Sequence, residues 1–501
     1  MYRVLDPASA VVRPGATPPL PTLYVAEDLM VRGTQGVADV DERALKAIES
    51  LGWSAEPVRK PRQVDDRVRS RPPLLLRLSV RSEQPAPPVD AWVALQQIAS
   101  VVEPEVAERF ELNHVLLPAG GGYWAGIGGG YWAGIGGGYW AGIGGGYWAG
   151  IGGGYWAGIG GGMGPAEYGV PGFGGKAPVS MVMADPAASA RQLARRPVVV
   201  MPDTGIGPHP WFPRADSAPP VDARSLVSVQ GTPIADDGGS IGEPLTGGAA
   251  HLAGHGTFIA GIVRQLCPEA RLEAHAVMSA EGVVVEDQLI DLLHALLGRQ
   301  VAAVSSGDAA GVFDVLSLSA GYYHESSGPT PTETSIADVL ADLGRWGVLV
   351  VAGAGNDATD RPFLPAGLAV RDQEEWLPLV SVGSLNPNRA TVSLFSNAGE
   401  WVRTYRSGAA IVSTLPTTGN AGAQYSSAAG AGAPDARPRT TIDRDDFSGG
   451  FGVWSGTSFA TPVVAGELAR ALAATDSADV SREALLDRAR KALDTILAEQ
   501  P

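Results

Sequence analysis

The sequence predicts an α/β protein, a doubly wound and mostly parallel sheet with helices on both faces, preceded by a small α+β domain and a glycine-rich repeat. Three observations carry this. From Pro197 onward, short apolar runs alternate with helix-periodic segments, the pattern of parallel strands covered on both sides. Residues 22–117 alternate strands and helices in a shorter, separate pattern. Between them stand five copies of one octapeptide, beginning at Tyr123, Tyr131, Tyr139, Tyr147 and Tyr155. With 501 residues, 45% of them apolar, the chain has room for more than one domain and a sizeable core.

Residues 1–21 read as a flexible N-terminus. In the region 22–117, strands are expected at 23–31, 53–58, 74–80 and 110–117, and helices at 42–51 and 90–102. That order makes two βαβ halves, which suggests a ferredoxin-like α+β sandwich. The Arg/Pro-rich stretch 58–71 between the halves reads as a solvated connection.

Residues 118–194 read as a linker containing the Tyr-Trp-Ala-Gly-Ile-Gly-Gly-Gly copies at 123–162. So much glycine raises the entropic cost of ordering. Forty flexible residues would span roughly 35 Å, enough to bridge two domains. The regular period also leaves room for an aromatic interaction segment or for a peptide that the protein itself cuts.

The domain at 195–475 has strand candidates at 198–201, 272–277, 312–318, 348–352 and 379–382, and helix candidates at 257–265, 285–297, 335–343 and 459–473. A C-terminal helix is expected in 476–501. Chemistry in such sheets gathers outside the carboxyl ends of the strands. Four motifs fall there: Val200-Met201-Pro202-Asp203-Thr204-Gly205, Gly254-His255-Gly256-Thr257, Val350-Val351-Ala352-Gly353-Ala354-Gly355-Asn356, and Gly456-Thr457-Ser458-Phe459-Ala460-Thr461-Pro462. Ser458 is expected at a helix N-terminus, where free N–H groups and the dipole support developing negative charge. Pro462 is read as part of the first helical turn. A dinucleotide-binding loop through Gly353, Gly355 and Ala358 is a poor alternative, since no helix opens directly after it. The remaining histidines, His114, His209, His251, His275, His294 and His324, read as surface or packing residues without metal-ligand spacing.

Gly-Thr-Ser-x-Ala-Thr-Pro resembles the nucleophile motif of the subtilisin-like serine proteases (subtilases), and the companion motifs occur upstream in the family's order Asp, His, Asn, Ser. The resemblance implies a serine endopeptidase. By carry-over, Ser458 attacks the scissile carbonyl, His255 moves the proton, Asp203 orients the imidazole, and Asn356 donates to the oxyanion. The segment 315–321 is similar to the substrate strand of the family. Ser317, Leu318, Ser319, Ala320 and Gly321 would pair with an extended peptide, while Ala352, Gly353, Ala354 and Gly355 join the edge of the specificity pocket. These small residues suggest an open pocket that prefers large apolar side chains. Subtilases commonly carry an N-terminal prodomain, so residues 22–117 are expected to act as an intramolecular inhibitor. Pro202, the insertion at 420–450 and the absence of Ala-Pro-Gly within 401–414 depart from the family pattern.

The chemistry needs no cofactor, and no metal ligand is assigned; structural calcium stays open because no acidic spacing marks it. Partners are a protein or peptide substrate and the N-terminal inhibitor. A net charge of -16 argues against nucleic acid. Cys267 is alone, so no internal disulfide forms. The first residues lack a secretory pattern and no stretch is long enough to cross a membrane, which predicts a cytoplasmic protein, or a secreted one if the start codon is misassigned. The competing function is a catalytically weak binding or regulatory protein that uses the same cleft.

Overall fold

A computed structural model describes residues 1–34, 36–58, 64–81, 85–119, 168, 174–212, 221–224, 228–229, 232–233, 241–243, 248–279, 282–328, 331–370, 375–421 and 440–498. The octapeptide copies at 123–162 and most of the insertion at 420–450 lie outside these residues.

The central sheet has seven strands, in the order Thr404–Ser407, Val380–Leu385, Leu349–Gly353, Val315–Leu318, Val198–Asp203, Arg271–Ala276 and Val221–Arg224. Every neighbouring pair is parallel. The run of valines in Val198–Asp203 is buried along its whole length, as expected of a strand covered on both faces. From this strand the chain goes first to one side of the sheet and then, at Val315–Leu318, to the other. Asp203 therefore ends the strand at the point where the winding reverses, the place where such sheets open a crevice. Helix Thr457–Thr475 packs on His255–Leu266 and on Arg482–Ala498, while Glu286–Ser306 packs on Ser335–Arg345.

The N-terminal sheet is antiparallel. Four of its strands lie in the order Phe110–Pro118, Thr22–Val31, Leu74–Val80, Trp53–Pro57, with Glu42–Ser50 joining Thr22–Val31 to Trp53–Pro57 and Ala91–Ile98 joining Leu74–Val80 to Phe110–Pro118. Tyr2–Leu5, within the stretch expected to be a flexible N-terminus, pairs with Thr22–Val31. Successive side chains of a strand face opposite ways, and here the two faces enter different cores. Leu29, Val31, Leu74, Leu76 and Leu112 pack in the domain's own core with Ile48 and Trp53. Met30, Leu75 and Leu116 belong instead to the core of the larger body. The small sheet is thus closed on one face by its helices and on the other by the parallel-sheet domain.

Part of the expected linker is ordered against the large body. Ala177–Pro178 pairs with Phe451–Trp454, and the Tyr168 hydroxyl donates to Asn386 Oδ1 at 2.6 Å. Pro462 also differs from expectation: the helix begins at Thr457, so the proline falls beyond the first turn. Lacking an N–H, it cannot serve the carbonyl of Ser458 four residues back. Ser319 Oγ donates to that carbonyl at 3.1 Å instead, which ties the strand end to the Ser458 helix.

Candidate active site

The site lies at the carboxyl ends of the parallel strands. Asp203 ends its strand with the side chain buried, and its Oδ1 accepts from Thr204 N–H at 2.8 Å. His255 opens its helix behind Gly254, which caps it with φ 85°, a left-handed conformation that glycine adopts without strain. The His255 ring is fully buried, and Nδ1 stands 2.7 Å from Asp203 Oδ1. A carboxylate only accepts, so Nδ1 carries the proton and Nε2 keeps its lone pair. Two further bonds fix this pair: Gly256 N–H donates to Thr204 Oγ1 at 2.8 Å, and Gly207 N–H to Thr257 Oγ1 at 2.8 Å. Gly256 has to be glycine because a Cβ there would collide with the carbonyl oxygen of Gly205.

Trp454 and Phe459 pack against the His255 ring, with centroids at 5.6 and 5.3 Å. They shield it from water. Neither His255 Nε2 nor Asp203 Oδ2 has a hydrogen-bond partner among the described residues. Ser458 Oγ donates to the carbonyl of Ser319 at 3.1 Å rather than to His255. Asp203 and His255 are thus brought into contact, with Ser458 on the next helix turned toward the strand end.

What occupies the cleft is the protein's own chain. Strand Phe110–Pro118 runs antiparallel to Ala320–Tyr323, pairing Pro118 with Ala320 and Leu117 with Gly321. On its other side Leu116 pairs with Val284 and Val115 with Val285. Beyond the strand, Ala119 N–H donates to Ser319 O at 2.7 Å. The Ala119 carbonyl accepts from Ser458 N–H at 2.6 Å and from Thr457 Oγ1 at 2.9 Å. Asn356 stands beside this carbonyl's donors: its Oδ1 accepts from Thr457 N–H at 2.8 Å, which leaves Nδ2 as its donor end.

Of the expected substrate residues, Ser319, Ala320 and Gly321 meet the docked segment through their backbone. Gly353 approaches the Ala119 side chain, since a Cβ built on it would lie 2.9 Å from that of Ala119. Gly355 N–H donates to Thr457 Oγ1 at 3.0 Å. Ala354 gives its carbonyl to Asn397 Nδ2 at 2.8 Å. Ser317, Leu318 and Ala352 sit within the sheet, paired with Val351, Ala352 and Leu318 respectively.

Sequence reading missed three contributors. Thr457 was visible only as a neighbour of Ser458, whereas its hydroxyl joins Gly355 to Ala119. Asn397 anchors the Asn356 loop by accepting from Asp357 N–H at 2.9 Å, with no local motif to announce it. Ala119 gave no signal at all. His114 was read as a surface or packing residue, but it is a buried bridge between the two domains. Its Nδ1 lies 2.6 Å from Glu286 Oε2 and its Nε2 2.8 Å from Glu325 Oε2. Burial alone would lower its pKa; the flanking carboxylates override that and push it up to about 10.

Cys267 is buried at the end of the His255 helix, where burial pushes its thiol up to about 12 and leaves it inert. His114, His324 and Glu325 are a group that could hold a metal ion among the described residues, although His114 is already engaged by both carboxylates. No described helix is long and apolar enough to cross a membrane.

Residues 197–498 match the sequence profile described as subtilase family, Peptidase_S8. No curated protein matches the chain. The match covers most of the 501 residues and contains the Asp203, His255, Asn356 and Ser458 motifs. The chain belongs to the subtilase family, which makes it a serine-type peptidase.

Proposed function

We propose that the protein is a serine endopeptidase held in check by its own N-terminal domain. Ser458 Oγ bonds to the carbonyl carbon of the scissile peptide while its proton passes to His255 Nε2, and Asp203 stabilises the imidazolium that forms. The oxygen takes up the negative charge and is met by Ser458 N–H and by Asn356 Nδ2. As the tetrahedral intermediate collapses, the C–N bond breaks and His255 returns the proton to the leaving amine. Water then releases the acyl group by the same steps in reverse roles.

The observation that carries this reading is the seating of Ala119, whose carbonyl accepts from the amide of the expected nucleophile at 2.6 Å. A peptide carbonyl in that position is poised for attack, and the bond it belongs to is Ala119–Gly120. The N-terminal domain, ferredoxin-like by its strand order, thereby acts as the intramolecular inhibitor and as the first substrate. A catalytically weak binding protein is the poorer reading, since the Asp203 to His255 contact is fully formed.

The test is labelling with a fluorophosphonate probe. One adduct, on Ser458 and absent from Ser458→Ala, is expected. Asn356→Ala should slow peptide hydrolysis about 100- to 1000-fold, a magnitude carried over from the corresponding asparagine of subtilisin. Failure to label both the intact chain and a chain nicked within the repeat would overturn the proposal.

A further inference from the structure

We infer that the specificity pocket takes small side chains, with Phe363 setting its depth, and that the preferred substrate presents a small residue before the scissile bond and proline before that. This rests on the proposal that Ser458 hydrolyses peptides, and it replaces the expectation of an open pocket for large apolar residues.

The docked segment shows which side chains the cleft accepts. Ala119 and Leu116 are completely buried, Pro118 is buried, and only Leu117 between them is half-buried, so the cleft encloses the segment on nearly every side. Ala119 meets the Gly353 wall, where a Cβ on the glycine would lie 2.9 Å from the alanine methyl. The two edges of the pocket, Gly321 and Gly355, do not face an open space. A Cβ on Gly321 would come within 2.6 Å of Phe363 Cε1, and one on Gly355 within 3.1 Å of Phe363 Cγ. The ring of Phe363 therefore lies against both glycines, together with Leu364 O, nearer still to the first built Cβ, and Asn397 Nδ2 at 2.5 Å from the second, and on this inference it closes the space between the walls.

Phe363 is held firmly there. It is 2% exposed, its strand pairs with Tyr322–Tyr323, and its ring packs on Tyr323 at 5.0 Å. A phenylalanine, leucine or arginine entering beside Ala119 would have to displace this ring. The neighbouring subsite fits proline on similar grounds. Gly282, at φ 92°, would bring a Cβ within 3.3 Å of the Pro118 ring and into Leu252, so the ring lies against a bare backbone and an apolar side chain. Pro118 stands opposite Ala320, but the bond to that strand comes from the next residue, Ala119 N–H to Ser319 O at 2.7 Å, so proline removes no donor on that side.

The experiment uses the full-length Ser458→Ala chain, so that docking is read without cleavage. Hydrogen exchange is measured at residues 115–119 and 320–323 with Ala, Ser or Phe at position 119. Serine should keep the protection of alanine, whereas Ala119→Phe should lose about tenfold or more, because one methylene too many in an apolar pocket is worth roughly 10- to 200-fold. Adding Phe363→Ala to Ala119→Phe should restore protection, a compensation that a merely misfolded variant cannot give. Equal protection with alanine and phenylalanine, or no compensation, would overturn the inference.

The same ranking should appear in catalysis. Peptides ending Leu-Leu-Pro-Ala before the bond should be cut faster by the wild-type protein than those ending Leu-Leu-Pro-Phe. A labelled Ser458 with phenylalanine preferred overturns the pocket alone. An unlabelled Ser458 with alanine-selective docking overturns the peptidase reading alone.

Discussion

Pro462 removes the N–H that a helix would offer to the carbonyl of Ser458, and Ser319 supplies a hydroxyl in its place. The exchange links the strand end that meets the docked segment to the helix that carries Ser458. Ser319→Ala should therefore leave a buried carbonyl unsatisfied and destabilise the fold by about 1–3 kcal/mol. Chemical denaturation of Ser319→Ala and Ser319→Thr checks this: threonine should recover most of the loss, and an alanine variant as stable as wild type would contradict it. Asp203, His255, Asn356 and Ser458 were legible as candidates because each stands in a short motif whose neighbours are local. Thr457, Asn397 and Phe363 were not, because each acts through contacts made by residues far away in sequence. The small pocket proposed above turns on Phe363 for this reason: glycines at 321, 353 and 355 announce space, and nothing nearby in sequence says that a ring lies against two of them.

The parallel strands were legible as elements because buried valine and leucine runs declare themselves, and Val198–Asp203 begins where it was expected. Helix Glu286–Ser306 was read as ending at 297, just before Gly298, a residue that ordinarily weakens a helix. It continues because tertiary contacts hold its last turns, with Gln300 Nε2 donating to the carbonyls of Phe313 and Trp346 at 3.2 and 3.1 Å. Strand Phe110–Pro118 was also anticipated, but its neighbours across the cleft were not, since pairing between domains leaves no local pattern. That strand carries His114 into a buried site faced by Glu286, Glu325, His324 and the stacked ring of Tyr322. On its own strand, burial and the Glu286 charge push Glu111 up to about 8. Burial would raise Glu325, but His324 and His114 hold it at about 2.

The signs of these shifts give a pH window. His114 is raised, so its contribution is full below the free imidazole value of about 6.5 and is lost as pH rises through about 10. Glu325 is lowered, so its contribution is full above the free carboxyl value of about 4.3 and is lost as pH falls through about 2. Docking is tightest between these free values and weakens toward alkaline pH. The melting temperatures of Ser458→Ala and of Ser458→Ala with His114→Gln should accordingly differ most near pH 6 and converge toward pH 10; this comparison separates His114 from Glu111. A constant gap would show that His114 is not the titrating group.

At the scale of the whole molecule, one face of the N-terminal sheet shares the core of the parallel sheet. Met30, Leu75, Leu116 and Ala119 are buried among the side chains of the large domain rather than those of their own. The chain passes through the cleft at Ala119 and meets the large domain again at Tyr168 and Ala177–Pro178, the described residues on either side of the repeat. A cut after residue 119 would leave the repeat on the peptidase half and the inhibitor held by contacts alone. The central claim is that Ser458 faces, and can hydrolyse, the bond after Ala119. Its most direct test is the intact mass of the purified wild-type chain beside that of Ser458→Ala. The account predicts two co-purifying pieces from wild type, residues 1–119 and 120–501, and one uncut chain of 501 residues from the variant. An uncut wild-type chain, or the same cut in both, would contradict it.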